Sequence, residues 1–355
     1  MNPFRFTENR VWRCYLGGKL IDRMRGKQDG ADDLFPEDWI ASTVEACNPQ
    51  HGVPGEGIST AVVGRKKIAF TTLVGERADE LFGAAHVKRH GKTTGFLMKL
   101  LDSAIRLPLQ AHPDRETARR LYGSDYGKTE VWIVLETRRI EGEEPYLLLG
   151  FNESIDKDVF TADCLRGDMT RPLRMAHKHR VKPGDVVMLT GGLVHAIGPG
   201  VFLVEIMEPT DLVTQPDPVC GKQPLTQQDR FGRIAPEKAM EVFHFDGQPK
   251  VSAWAGAAQQ PRLVGEQGPS RCWQLIGAEY ASYFGAWRIE VDGKWTGDSH
   301  ESGFFAGVVV DGEVTLRAGM SRLTLKPGDT FFVPYSTGAY AFSGKGTVVC
   351  ALPPG

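Results

Sequence analysis

A segment that occurs twice constrains the fold of this chain more than any other feature of the sequence. The first copy reads Lys182-Pro-Gly-Asp-Val-Val-Met-Leu-Thr-Gly-Gly-Leu-Val-His195, and the second reads Lys326-Pro-Gly-Asp-Thr-Phe-Phe-Val-Pro-Tyr-Ser-Thr-Gly-Ala339. Each copy has a Pro-Gly-Asp turn followed by a short apolar run, which is typical of a turn and a strand. A repeated strand and turn in a β-rich chain predicts two related antiparallel barrels or jelly rolls.

The two copies differ at their last position, which is His195 in the first and Ala339 in the second. Imidazole is a common metal ligand, so we expect only the first copy to have a metal site. A chain of 355 residues is long for a single core. We therefore predict a metal-binding domain at 1–235 and a degenerate, supporting domain at 236–355. Apolar residues at helical spacing predict a small helical insertion at about 152–174.

Further candidate metal ligands lie in the segment Leu107-Pro-Leu-Gln-Ala-His-Pro-Asp. Gln110 and His112 are separated by one residue, so on a strand their side chains project to the same side and can share a ligand. Pro113 cannot donate a hydrogen bond to a sheet, and we expect the strand to end there. Glu130 opens the next long apolar run and brings a carboxylate into a region otherwise suited to burial.

Two interpretations fit these polar residues. Each side chain can be satisfied separately by hydrogen bonds in a core, which is the commoner case for a single buried histidine. In the alternative interpretation, four residues bind one divalent ion: Gln110, His112, Glu130 and His195. An imidazole nitrogen with carboxylate and amide oxygens suits zinc, although manganese, iron and cobalt accept the same ligands.

Two other charged patterns leave alternatives open. Lys99 is the only charge in an apolar stretch, Gly95–Leu101, that is predicted to be a strand. Its ammonium either reaches the surface or takes part in ligand binding. His177 and His179 alternate as a pair of metal ligands would, but Lys and Arg surround them, so we predict a solvent-exposed strand edge.

The composition of the chain argues against several classes of function. The net charge is −2 and there is no long basic stripe, so nucleic acid is not an expected partner. The apolar runs are far shorter than the roughly 20 residues of a membrane-spanning helix. The N-terminal residues lack the basic and apolar regions of a signal peptide, so we expect a cytoplasmic location. The six cysteines are scattered and are expected to be free, buried thiols.

Together the motifs resemble those of the type I mannose-6-phosphate isomerases, a family of zinc-dependent cupins. The resemblance rests on these segments: Gln110-Ala-His-Pro-Asp, Gly127-Lys-Thr-Glu130, Lys182-Pro-Gly-Asp with Gly192-Leu-Val-His195-Ala-Ile, and Val204-Glu205-Ile. Weaker similarity extends over most of the chain. The resemblance implies a mainly β protein with two cupin-type jelly-roll domains. It also implies that the chain interconverts mannose 6-phosphate and fructose 6-phosphate with one zinc ion per chain.

The resemblance further implies roles for individual residues. It implies that the four candidate ligands bind the metal, that Lys128 lies beside the metal and that Lys99 points toward the substrate phosphate. A bound cation would act as a Lewis acid on the C1 and C2 oxygens and stabilise an enediolate while a base moves a proton between these carbons. The candidate bases are Glu205, Lys128 and a metal-bound water. A lysine close to a cation is expected to have a lowered pKa, which favours its proton-accepting form.

One departure from the family's pattern concerns a catalytic arginine. After the strand with Glu205, the family continues through an aspartate, here Asp211, to a Thr-Tyr-Arg sequence. This chain has Gln215 where that arginine belongs. We expect Asp211 to lie in the substrate site and Gln215 to stand at the catalytic position. Glutamine has no charge to stabilise an anion, so Arg230 and Arg233 are candidate replacements.

The second departure is Pro108, where the family commonly has a serine that helps to hold phosphate. Proline offers neither a hydroxyl nor an N–H. Arg106 is a candidate to compensate, because a guanidinium matches the geometry of phosphate. The expected partner is thus a small sugar phosphate, and the expected assembly is a monomer or a homodimer. The alternative functions are an isomerase of a related or unphosphorylated sugar and a catalytically silent, sugar-binding cupin.

Overall fold

The computed structural model describes residues 1–355 and is mainly β. The strands are β1 Phe4–Phe6, β2 Arg10–Val11, β3 Glu37–Ile40, β4 Thr60–Val63, β5 Lys66–Ala69, β6 Leu97–Asp102, β7 Glu130–Thr137, β8 Tyr146–Phe151, β9 Ala176–Arg180, β10 Val186–Leu189, β11 His195–Ile197, β12 Val201–Met207, β13 Val219–Cys220, β14 Gln223–Pro224, β15 Arg262–Gln267, β16 Ser270–Gln274, β17 Gly285–Asp298, β18 Phe305–Ala318, β19 Ser321–Leu325, β20 Thr330–Val333 and β21 Ala339–Leu352.

The helices are short and mostly connect the strands. They are α1 Lys19–Met24, α2 Phe70–Phe82, α3 Ala84–His90, α4 Arg115–Tyr122, α5 Lys157–Arg166, α6 Thr170–Met175, α7 Gln227–Phe231, α8 Pro236–Ala239, α9 Lys250–Ala257 and α10 Ser299–Ser302, with 3₁₀ turns at Met240–Val242, Ala278–Tyr280 and Tyr335–Thr337. None of them has both the length and the apolar composition that crossing a bilayer requires.

Two sheets in the first part of the chain face each other. A six-stranded antiparallel sheet has the order β10-β7-β12-β6-β3-β2, and a three-stranded sheet has the order β11-β8-β9. Side chains from both sheets share one buried cluster, for example Leu101 and Trp132 from the larger sheet and Leu147 and Ile197 from the smaller one. We call this pair of sheets the first barrel.

A ten-stranded sheet forms the second barrel. Its order is β15-β16-β17-β21-β18-β20-β1-β4-β5, and β19 pairs with β18. Three of these strands, β1, β4 and β5, come from the N-terminal part of the chain. They join the sheet through β1, whose Phe4 pairs with Phe332 of β20. The division at 235/236 remains a prediction, and strands from both sides of it share this sheet. The largest buried cluster joins the two barrels and includes Phe70, Val204 and Val349.

The repeated segment has the same local structure in both barrels. In the first copy the Asp185 carboxylate accepts a hydrogen bond of 2.9 Å from the backbone N–H of Lys182, and in the second Asp329 accepts one of 2.8 Å from Lys326. Each turn leads into a buried strand, β10 or β20, and β11 and β21 begin at the positions of the His195/Ala339 difference. The fold class predicted from the repeat is confirmed.

Several local predictions can be compared with the structure. The helical insertion is present as α5 and α6, and Asp114 caps α4 by accepting a hydrogen bond from the Thr117 N–H at 2.7 Å. The solvent-exposed edge predicted for His177 and His179 is wrong for His179, which is 5% exposed and stacks on Trp254. All six cysteines are free, as predicted, but Cys47 is exposed and Cys14 only partly buried.

Candidate metal centre and substrate cavity

The candidate ligands Gln110 and His112 lie on an extended segment, although it is not a continuous strand. Gln110 forms a pair of backbone hydrogen bonds with His195, and Ala111 forms a pair with Thr214. These isolated bridges fix the alternation that the sequence predicted, so both Gln110 and His112 face one cavity.

Glycines allow the three segments that carry the ligands to approach each other. Gly127 lies three residues before Glu130, and a Cβ atom there would be 2.5 Å from the Pro113 carbonyl oxygen. Gly191 lies four residues before His195, and a Cβ atom there would be 2.4 Å from the Asp114 Cα. Both clashes are with backbone, so any side chain would push a ligand-bearing segment away from the turn that follows His112.

Three of the four predicted ligands meet in the folded chain. His112, Glu130 and His195 are buried, and the potential ligand atom of each lies within 4.8 Å of the others. The Glu130 carboxylate stands between the imidazoles, since its Oε2 is 3.5 Å from His112 Nε2 and its Oε1 is 3.6 Å from His195 Nε2. Glu130 opens β7 and His195 opens β11, so each side chain is held at the end of a strand.

Both imidazoles present the same nitrogen to Glu130. The Nδ1 atom of His112 is 2.8 Å from the Leu212 carbonyl oxygen, and that of His195 is 2.8 Å from the Leu193 carbonyl oxygen. A carbonyl can only accept, so each Nδ1 carries the proton and each Nε2 lone pair points inward. Backbone carbonyls commonly orient metal-binding histidines in this way.

The donor set fits a divalent cation. Burial lowers the pKa of His195 to about 3, and burial, followed by the charge of Lys128, lowers the pKa of His112 well below its ordinary value. Both rings are therefore neutral, as metal ligands must be. The Nε2 atom of His195 is buried and has no hydrogen-bond partner. An unpaired buried nitrogen is costly, and a metal ion would satisfy it.

Lys128 lies against this cluster. Its Nζ donates hydrogen bonds of 2.7 Å to His112 Nε2 and 2.6 Å to Glu130 Oε2. Burial raises the pKa of Glu130 to about 7, against the opposing effect of Lys128. Burial alone would lower the pKa of Lys128, but the carboxylates of Glu130 and Glu205 hold it above its ordinary value. The lowering of this pKa that a bound cation would cause remains a prediction.

A cavity of about 580 Å³ opens above the cluster. Its size lies in the range of small-molecule sites. The polar and aromatic residues that line it are Trp12, Arg13, Cys14, Tyr15, Glu37, Cys47, Asn48, Lys99, Gln110, His112, Tyr122, Lys128, Glu130, Trp132, Glu205, Asp211, Gln215, Gln228, Asp229 and Arg233.

Lys99 faces this cavity from the middle of β6. It is 3% exposed, and its Nζ is 3.4 Å from Glu205 Oε1 and 3.5 Å from Glu37 Oε2. The ammonium also lies over the Trp39 ring, 4.8 Å from its centroid. The alternative that Lys99 extends to the surface is therefore wrong. Since Glu205 pairs with Lys99 across neighbouring strands, β12 and β6 hold both charges at fixed positions.

Arg13 and Glu37 are cavity residues that the sequence interpretation missed. The Arg13 guanidinium binds both oxygens of Asp211, at 3.0 and 3.1 Å, and its Nε is 3.1 Å from Glu37 Oε1. Burial would raise the pKa of Glu37, but the charges of Arg13 and Lys99 and hydrogen bonds from Tyr15 and Trp39 bring it well below its ordinary value. The signal available in the sequence was a charge beside apolar residues, since Arg13 lies within Val-Trp-Arg-Cys-Tyr and Glu37 shortly precedes Trp39-Ile-Ala.

The remaining predicted residues take different positions around the cavity. Gln215 lines it, but its side-chain amide donates to the Asp229 carbonyl oxygen at 2.9 Å. Arg106 is absent from the lining and pairs with Asp217 at 2.7 Å, so the structure does not bring it to the cavity. Of the two candidate replacements for the family's arginine, Arg233 lines the cavity and Arg230 does not.

Comparison with known proteins shows similarity to mannose-6-phosphate isomerases. The cupin-domain model of mannose-6-phosphate isomerases matches residues 278–353, which lie in the second barrel. The Bacillus subtilis protein GmuF, described as a probable mannose-6-phosphate isomerase, is 26% identical over 254 residues, covering 72% of this chain and 73% of GmuF. Mannose-6-phosphate isomerase ManA of the same organism is 25% identical over 272 residues, covering 76% of this chain and 77% of ManA.

The fold comparison covers both barrels. The crystal structure of the mannose 6-phosphate isomerase from Bacillus subtilis superposes with a TM-score of 0.75 at 20% identity and covers 99% of each chain. The sequence relatives extend over about three quarters of the chain, whereas this match covers nearly all of it. Together the comparisons confirm the resemblance that the motifs predicted.

Proposed function

We propose that this chain, which resembles the type I mannose-6-phosphate isomerases in sequence and fold, interconverts mannose 6-phosphate and fructose 6-phosphate with a bound divalent metal. The observation that carries the proposal is the buried cluster of His112, Glu130 and His195, in which one imidazole nitrogen has no partner. This cluster lies beside a cavity large enough for a sugar phosphate.

The metal would be held by His112, Glu130 and His195, and Gln110, which lines the same cavity, would be the fourth ligand. Two imidazoles with a carboxylate and an amide oxygen suit zinc. A bound divalent ion would polarise the oxygens on C1 and C2 and so lower the energy of negative charge that develops there. Since His112 Nε2 has one lone pair, the hydrogen bond from Lys128 must be released when this nitrogen becomes a ligand.

Lys128 and Glu205 are the side chains available for proton transfer. They lie side by side, with Lys128 Nζ 3.5 Å from Glu205 Oε1, and both line the cavity. The Glu205 Oε1 atom has no hydrogen-bond partner, which leaves a lone pair free for a substrate proton. Lys128, once released from His112, can share a proton with the substrate oxygen beside the reacting carbons.

Asp211 and Gln215 would contact other parts of the sugar. The salt bridge from Arg13 holds the Asp211 carboxylate in a fixed orientation, in which it can accept hydrogen bonds from sugar hydroxyls. Gln215 has no charge and its amide is bound to α7, so we assign it a positioning role in place of the catalytic role that the family's arginine has.

The test is turnover of mannose 6-phosphate by the purified, zinc-loaded protein, measured as formation of fructose 6-phosphate. We expect turnover to stop on chelation and to return when zinc is added back. In the same assay, Glu205→Gln and Lys128→Met distinguish the candidate bases, because only loss of the true base removes the corresponding limb of the pH profile. Stoichiometric metal binding without turnover of mannose 6-phosphate would refute the substrate assignment and would favour a silent or differently specific cupin.

A further inference from the structure

The cations that line the cavity differ in whether their charge is already matched. Four cationic side chains are present, Arg13, Lys99, Lys128 and Arg233. Carboxylate oxygens lie within 3.5 Å of side-chain nitrogens of Arg13, Lys99 and Lys128, so each of these three charges is already paired. Arg233 is exposed and makes neither an ion pair nor a side-chain hydrogen bond. It is therefore the only cation of the cavity whose charge is free to bind a ligand.

The backbone presents Arg233 at this place because the preceding helix is fixed from both sides. Gln215 holds the end of α7, donating from its N–H to the Arg230 carbonyl oxygen and from its amide to that of Asp229, both at 2.9 Å. The Arg230 guanidinium donates to the Pro216 and Cys164 carbonyl oxygens, at 2.7 and 2.8 Å from its Nη2. Helix α7 ends at Gly232, and Arg233 is the next residue.

We propose that Arg233 binds the phosphate group of the substrate at the mouth of the cavity. This inference rests on the proposed function, since it assumes a sugar phosphate. The reacting carbons C1 and C2 must reach the buried cluster, so the phosphate on C6 is at the opposite end of the sugar and close to solvent. A guanidinium pairs with phosphate through two parallel hydrogen bonds, and it does so best when no carboxylate competes for its donors.

The charge of the lining explains why such a residue is needed. Five carboxylates line the cavity with the four cations: Glu37, Glu130, Glu205, Asp211 and Asp229. The carboxylates outnumber the cations by one when Arg233 is counted and by two when it is not, so loss of Arg233 would increase the repulsion of a phosphate dianion. Gln215 carries no charge where the family has an arginine. It also holds helix α7, and Arg233, just after this helix, supplies a positive charge to the cavity.

The experiment compares zinc-loaded wild type with Arg233→Gln, Arg233→Lys and the control Lys238→Gln. Lys238 is also exposed and lies five residues further on, but it pairs with Glu241 and is not part of the lining. We expect Arg233→Gln to raise KM for mannose 6-phosphate and the inhibition constant of inorganic phosphate roughly tenfold while kcat changes little. Arg233→Lys should recover part of this loss, and Lys238→Gln should behave as wild type.

Calorimetric titration with inorganic phosphate makes the result independent of turnover. If wild type binds phosphate and does not isomerise mannose 6-phosphate, the proposed function fails while the role of Arg233 is still read from the titration. Equal phosphate affinity of wild type and Arg233→Gln would overturn the inference, as would failure of wild type to bind phosphate. A fall in kcat at unchanged KM would also overturn it, because it would place Arg233 in the reaction rather than in binding. Thermal unfolding checks that the exposed substitution leaves the fold intact.

Discussion

In the first barrel the strand after the Lys182–Asp185 turn leads to His195, which is buried beside a cavity, whereas in the second barrel the matching strand leads to the exposed Ala339. The turns themselves agree closely, since Gly184 and Gly328 each donate a backbone hydrogen bond of 2.8 Å to a neighbouring strand. The repeat thus specifies the turn and the strand. Whether a metal site forms depends on what other segments bring to the same place.

The interiors of the two barrels show what those other segments contribute. In the second barrel, aromatic side chains fill the interior, and the ring centroids of Phe305, Phe331, Tyr340 and Phe342 lie 5.4 to 6.2 Å from their neighbours. In the first barrel, the corresponding space holds buried lysines and carboxylates around a cavity. One barrel stabilises the fold by close packing, and the other keeps room for a ligand at the cost of buried charge.

The largest effect is expected from His195→Ala. This change removes a ligand whose nitrogen has no other partner, so we expect loss of stoichiometric zinc and a fall in turnover of more than about 100-fold. Elemental analysis of the purified variant and the isomerase assay provide the measurements. The matched control is His179→Phe, which removes another buried histidine of the same barrel and should retain zinc. If His195→Ala binds zinc as wild type does, the metal centre is placed wrongly.

The pH dependence of stability should depend on His179 of the first barrel. Burial, together with the charge of Lys250, lowers its folded-state pKa to about 4 from an ordinary value of 6.5. Between pH 6.5 and 4 the unfolded chain binds a proton at His179 that the folded protein does not. The free energy of unfolding is therefore unaffected by this group above pH 6.5 and decreases as the pH falls from 6.5 to 4. His179 should account for a loss on the order of 1–3 kcal/mol of the wild type's stability over this range.

Denaturant unfolding of the zinc-loaded protein at several pH values tests this expectation. His179→Phe keeps the stacking on Trp254 and should show a flatter curve between pH 4 and 6.5. The exposed His300 of the second barrel is the control site, and His300→Gln should follow wild type. An unchanged slope for His179→Phe would mean that other groups set the acid sensitivity.

The smallest effect is expected from Asp185→Ala and Asp329→Ala, which remove the same hydrogen bond from the two turns. Each should cost about 1 kcal/mol in the free energy of unfolding, because one backbone N–H loses its partner. Chemical denaturation measures both. Similar costs would confirm that the turns are equivalent, whereas a neutral Asp329→Ala would show that only the first copy still depends on its turn.

Local patterns were sufficient for much of the site. The alternation of Gln110 and His112 and the position of Glu130 at the start of an apolar run follow from strand geometry, and the structure brings His112 and Glu130 together with His195. The side chain of Lys99 was not decided by its sequence, because the carboxylates that hold it lie on β3 and β12. A charged side chain in an apolar run can extend to the surface or point into a cavity, and its partners decide which.

The sequence by itself determined the β architecture, the paired turns and the candidate metal ligands, since these depend on periodicity and residue chemistry over short stretches. Only the tertiary structure decided which charges face the cavity and which of them are already paired. Arg13, Glu37 and Asp211 are far apart in the chain, and Arg106, the residue that the sequence offered for phosphate, is paired with Asp217 instead. Electrostatic pairing acts over a few ångströms in space, so it is set by the packing of distant segments.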